Sequence, residues 1–292
     1  MLIGLALVSA VANLYFGSKA SYRLNEDRLR LHQDGRYAMQ LMEKNLRQAG
    51  FGHLTSASMN AVEVDRTDFV SADGKPGQGL RGCDYGFVKP MSQPLDYGCK
   101  GGAGIAEFEV AYRVADTFDF YTGAGADCND AQAGFIVLPE SHPAYNGGQR
   151  IYIATNRFFV ATPSGGKTAS LYCQGNGSSI AQPILNNVEN MQLTFGVAEI
   201  DGFSAQQFLT AAQVDGLSPD QHQNWKRVIR VKLCLQLYGN QQASIEPQRY
   251  VDCDGVEHVA KDRRLREVMT SVVTLRNNAA SSLTDIRAGG VP

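Results

Sequence analysis

The first 16 residues, MLIGLALVSAVANLYF, carry no charge and are interrupted only by Ser9 and Asn13. From Leu24 onward the apolar positions thin out to Leu24, Leu31, Ala38, Met42, Leu46 and Ala49, at steps of three, four and seven. That spacing is one stripe of a helix. The other faces place Glu26 four residues before Arg30 and Glu43 four before Arg47, with the acid on the favourable N-terminal side. Gly50 and Gly52 then supply a stop. The pattern predicts one helix over residues 1–50, about 75 Å long at 1.5 Å per residue. Residues 1–18 would be membrane-embedded and residues 19–50 amphipathic. The alternative is an anchor followed by a separate surface helix, with the break at Gly17 or Gly35.

Beyond Phe51 the period changes. Runs of β-branched and aromatic residues, punctuated by Gly, Pro, Asn and Asp, predict strands at Ile105–Val114, Phe135–Leu138, Arg150–Thr155, Phe158–Thr162, Val188–Val197, Val228–Tyr238 and Val268–Leu275. In VIRVKLCLQL the residues Ile229, Val231, Leu233, Leu235 and Leu237 share one face, opposite Val228, Arg230, Lys232, Cys234 and Gln236. Such a strand covers a core on one side only. The amphipathic half of the helix is the element available to fill that core. Two stretches read as surface loops, the Gly- and Pro-rich Ser71–Gly104 and residues 199–225, the latter with a short helix at Ala205–Val214. The expectation is an α+β protein in which a long N-terminal helix packs on an antiparallel β-sheet head, residues 51–292.

The apolar run stops at Gly17, short of the roughly 20 residues that cross a bilayer core. Met1 is therefore expected to stand several residues inside the natural helix. A cleaved secretory signal is the competing reading, but the run lacks a basic segment ahead of it. Lys19, Arg23, Arg28 and Arg30 follow the run and would favour a cytoplasmic C-terminal side. The cysteines argue for the other side. Cys83, Cys99, Cys128, Cys173, Cys234 and Cys253 are even in number, widely spaced and free of any CxxC or zinc spacing, which suits an oxidising compartment. Six buried thiols remain the plain alternative. Six cysteines allow about 15 pairings; proximity favours Cys83–Cys99 and Cys234–Cys253, leaving Cys128–Cys173.

Charge narrows the function. Residues 19–47 carry seven Lys/Arg against four Asp/Glu, so the other 20 basic and 25 acidic residues leave the remainder at −5. That balance lacks the basic footprint of a nucleic-acid binder. His32, His53, His142, His222 and His258 have no partner at a metal-binding spacing. GGAGIAE at Gly101–Glu107 precedes a strand where a phosphate loop would follow one. Asp252, Asp254 and Gly255 do not fit a calcium loop, and no GxSxG elbow occurs. No catalytic, cofactor-binding or metal-binding residue is assigned.

The stretch Ser21–Phe51 resembles the N-terminal helix of PilW-type minor pilins, through the step Gly35, Arg36, Tyr37, Ala38 and the ending Ala49, Gly50, Phe51. SLYCQG (Ser170–Gly175), VENMQLTFGV (Val188–Val197) and VMTSVVTLRNN (Val268–Asn278) are similar to the same family in order and spacing. The resemblance implies the type IV pilin fold and a structural, non-enzymatic role in type IV pilus assembly, in a priming or tip complex. It also implies an inner-membrane single-pass anchor with a periplasmic head, later a place in the pilus at the cell surface, and no cofactor. The implied partners are other minor pilins, the major pilin and a large tip adhesin. Leu24, Leu31, Ala38 and Met42 would pack on partner helices, and Arg23, Arg28 and Arg30 would pair with partner acids. The alternatives are a J-type pseudopilin of type II secretion, or a membrane-anchored periplasmic enzyme or glycan-binding protein.

Overall fold

A computed structural model describes residues 2–51, 79–91, 97–137, 140, 147–166, 168–199, 204–242 and 246–278. Much of the 71–104 loop, at 71–78 and 92–96, lies outside these residues. Helix α1 (Leu2–Gln48) runs unbroken through both Gly17 and Gly35. Gly35 is a point of contact, not a hinge: a Cβ there would lie 2.8 Å from Leu237 Cδ1 and 2.8 Å from Met269 Sδ. The missing side chain lets the sheet approach the helix axis. The helix ends at Gly50, whose φ of 69° is left-handed and whose N–H bonds Ala111 O at 2.9 Å. Gly79 lies against that turn, where any Cβ would meet the Gly50 backbone at 2.6 Å.

Two antiparallel sheets receive the helix. The first contains β1 (Leu80–Cys83), β2 (Glu107–Arg113), β4 (Arg150–Ala161), β5 (Ser170–Gly175) and β6 (Gln182–Asn186) in that spatial order, with β3 (Phe135–Val137) paired to the start of β4. Asn187, at a φ of 60°, turns the chain directly from β6 into the second sheet. That sheet has the order β12 (Arg266–Thr274), β9 (Val228–Tyr238), β7 (Val188–Ala198), β8 (Ala205–Leu209). A short ribbon, β10 (Arg249–Val251) with β11 (Glu257–Val259), stands apart. The helix lies mainly on β12 and β9 and also touches β2 and β6. Its inward residues join Phe108, Phe158, Met191, Phe195, Leu233, Leu235 and Leu237 in one core.

The structure departs from the sequence pattern in three places. The two runs at 150–155 and 158–162 are a single strand, because β2 pairs across Asn156 and Arg157 without interruption. The predicted helix at 205–214 divides. Its first half pairs with the edge of β7 as β8, and Thr210 then forms a capping box with Gln213 to start the short α2 (Ala211–Asp215), followed by α3 (Gln221–Lys226). Third, the outer face of β9 is solvated at Arg230 and Lys232 but buried at Cys234 and Gln236, where the β10–β11 ribbon is tied on.

That tie is one of three disulfides. Cys83–Cys99, Cys128–Cys173 and Cys234–Cys253 have Cα separations of 5.3, 6.4 and 5.8 Å, and no cysteine is free. The loop closed by Cys83–Cys99 covers a buried polar row across β1, β2, β4 and β5, formed by Arg81, Glu109, Arg157 and Gln174. Arg157 pairs with Glu109 at 2.6 Å, and its guanidinium lies 4.1 Å from the Phe87 ring centre. Arg81 pairs with Asp215 and lies over Trp225, while Asp84 accepts from the Ala211 and Ala212 amides at 2.7 and 2.9 Å. The α2–α3 insertion and the first disulfide loop are thereby fastened together.

Candidate assembly surface

Helix α1 has two parts with different surroundings. Asp27 is its first buried residue; among the described residues before it, none is buried. Residues 2–26 thus form a stem of about 37 Å. Val8, Leu14 and Phe16 are 70%, 74% and 66% exposed. Such surface is costly in water. From Asp27 to Ala49 the helix has a wet face and a dry face. Within the dry face, Asn45 accepts from Tyr112 Oη at 3.0 Å and from Asn156 Nδ2 at 2.7 Å, and donates to Leu41 O. This buried network holds the helix to β2 and β4, and burial pushes the Tyr112 hydroxyl above its usual range.

The wet face is not uniformly polar. Val8, Val11, Tyr15, Tyr22, Leu29 and Tyr37 are all exposed, and at 100° per residue they fall within about 80° of one another. Their stripe lies opposite the residues that enter the core. The recurrence at 8, 15, 22 and 29 was the available signal, and reading the chain from its buried stripe alone misses it. Leu31, Ala38 and Met42, expected on partner helices, belong to the protein's own core at 8%, 0% and 0% exposure. Here the helix lies mainly on β12 and β9. Leu24 is half-buried at the foot of the head. Arg23, Arg28 and Arg30 are exposed; Arg30 is held by Glu26 at 3.0 Å, and among the described residues Arg23 and Arg28 form no ion pair.

Where the helix enters the head, a cleft of about 270 Å³ opens between Asp34 and Tyr37 on one side and Pro183, Ile184, Leu185, Asn186, Asn187 and Asn240 on the other. Asn187 Nδ2 donates to Asn240 Oδ1 at 2.6 Å, and the Asn240 amide donates to Asp27 Oδ1 at 3.3 Å. Burial raises the Asp27 carboxyl above its ordinary range. Asp34 and Tyr37 make no hydrogen bond or ion pair among the described residues.

Among the described residues no three His, Cys, Asp or Glu side chains are placed to hold a metal ion. Asp252 is occupied by the Asp254 and Val256 amides, each at 2.9 Å, and by His258 Nε2 at 2.6 Å. Among the described residues, no helix is long and apolar enough to cross a membrane.

The described chain is thus a helical stem, exposed along Val8, Val11, Tyr15 and Tyr22, joined to an antiparallel head braced by three disulfides. The family model PilW, type IV pilus-assembly protein W, matches residues 157–277, from the second half of β4 through β12. Among solved structures, the type IV-like pilin TTHA1219 from Thermus thermophilus is similar over 85% of this chain and 98% of its own, at 10% identity and a TM-score of 0.40. No curated protein sequence matches.

Proposed function

We propose that this chain is a minor pilin that takes part in type IV pilus assembly, in a priming or tip complex with other minor pilins, the major pilin and a tip adhesin. The single observation that carries the reading is the division of α1 into a head-bound half and an exposed stem with an aromatic stripe; the PilW match over β4 to β12 supports it. In this reading residues 1–18 are held in the inner membrane and the head faces the periplasm. Tyr15 and Tyr22 suit the membrane interface, where amphipathic rings are enriched. On assembly the stem exchanges lipid for neighbouring helices. Hydrocarbon chains are as apolar as the stem itself, so packing and polar pairing drive that exchange.

The polar part falls to Arg23, Arg28 and Arg30, which pair with acidic groups on neighbouring subunits. Reversing Arg28 and Arg30 to Glu leaves the head folded, because neither touches it, and lowers the number of assembled pili. Normal piliation in that double variant counts against the assignment. Turnover or glycan binding by the full chain, with piliation unaffected by its deletion, points to the periplasmic enzyme or binding protein instead.

A further inference from the structure

We propose that the cleft between α1 and β6 receives an arginine side chain from the stem helix of a neighbouring pilus subunit. The inference rests on the proposed function and names a contact within it. Asp34 supplies a carboxylate with no hydrogen bond or ion pair among the described residues, and no basic side chain lines the cleft. Tyr37, one turn further along, is 59% exposed and presents a ring to the same space. Pro183, Ile184 and Leu185 form an apolar wall. The Asn187 amide nitrogen is spent on Asn240, which leaves its carbonyl oxygen as a further acceptor.

A guanidinium on a methylene stem satisfies all of these groups at once. It bonds a carboxylate in a bidentate fork, lies over a tyrosine face and rests its aliphatic part on apolar surface. The size agrees: about 270 Å³ falls below the roughly 300–1,000 Å³ usual for small-molecule sites. The cleft is also well placed. This chain's own helix shows the kind of donor required, since Arg23 on the stem and Arg28 just past it are exposed, eleven and six residues before Asp34. A neighbouring stem of similar pattern, displaced along the axis by about 16 or 9 Å, brings an arginine level with the cleft. Repeated head-to-stem contacts of that kind are heterologous, and build an open filament where the rotation between subunits does not close.

The test is charge reversal and repair in cells that make the pilus. Asp34→Arg lowers assembled pili roughly ten-fold or more, Asp34→Glu stays near the parent, and an Arg→Asp exchange on one subunit's stem restores assembly to Asp34→Arg. Thermal unfolding of full-length Asp34→Arg in detergent matches the parent. If it does not, Asp34→Asn replaces it in the assay, and normal piliation by that variant overturns the inference. Parental piliation by a folded Asp34→Arg, or a defect that no stem Arg→Asp exchange repairs, also overturns it. Deletion of the gene separates the two proposals. Unchanged pili on deletion sink the proposed function; pili lost on deletion but kept in Asp34→Arg sink only the cleft contact.

Discussion

Asn45 sits among Met42, Leu46 and Ala49 on the dry side of α1, where an apolar residue would be the ordinary choice. Its carbonyl oxygen takes hydrogen bonds from both Tyr112 and Asn156, and Asn156 in turn accepts from the Cys128 amide at 3.0 Å. One helix residue therefore orients two strands and a disulfide loop. Asn45→Leu keeps the branched shape but removes their shared acceptor, and a buried donor left unmatched costs about 1–3 kcal/mol. Denaturant unfolding of the full chain in detergent should show a loss of that size, and an unchanged midpoint would contradict the role. Glu107 is a second such residue. Burial pushes its carboxyl up to about 7 from 4.5, against the Phe87 amide bonded at 2.8 Å. Because the folded chain holds this proton more tightly than the unfolded one, the stabilisation is complete below about pH 4.5. It is lost as the pH rises through 7, by up to about 3 kcal/mol. Urea midpoints at pH 5 and pH 8 should differ in the parent and converge in Glu107→Gln.

At the level of elements, α1 has to satisfy two unlike environments along one axis. The head claims a face from Asp27 to Ala49, and Gly35 leaves no room for a side chain between the helix and Leu237 and Met269. Gly35→Val places branched carbons where Leu237 and Met269 already lie and should destabilise the head by about 1–3 kcal/mol. A compensating Met269→Ala should recover part of that in a double-mutant cycle, because the two sites share one space. The β10–β11 ribbon shows a different device. Its residues are mostly exposed, so burial alone does not hold it, and the Cys234–Cys253 bond fastens it to the outer face of β9. Arg266, bonded to both Glu189 and Asp262, closes the same corner from β12.

For the whole molecule, the disulfides, the sheets and the helix form one head from which the stem departs. All six cysteines are paired, so the protein, denatured without reductant after thiols are blocked at lysis, should titrate no thiol, and six only after reduction. Six before reduction would place the head in a reducing compartment. The architecture was legible to the extent that it rested on local pattern. The helix with its stop at Gly50 and the core-facing alternation of β9 followed from spacing along the chain; spacing favoured the cysteine pairs Cys83–Cys99 and Cys234–Cys253 without fixing the connectivity. Strands β1, β6, β10 and β11 did not, because each is short and is defined by its partner more than by its own residues.

The candidate surface divides in the same way. Sequence alone determined that a long helix would be apolar at its start and two-faced thereafter, since a period of 3.6 residues is carried by side-chain order. Only the tertiary structure decided which face the head would take. Burial depends on what lies opposite: β9 and β12 absorbed Leu31, Ala38 and Met42 and left Val8, Tyr15, Tyr22 and Leu29 outside. The cleft too is a tertiary product. Asp34, Asn187 and Asn240 are far apart in the chain, and nothing along it brings them together until the helix lies against the end of β6.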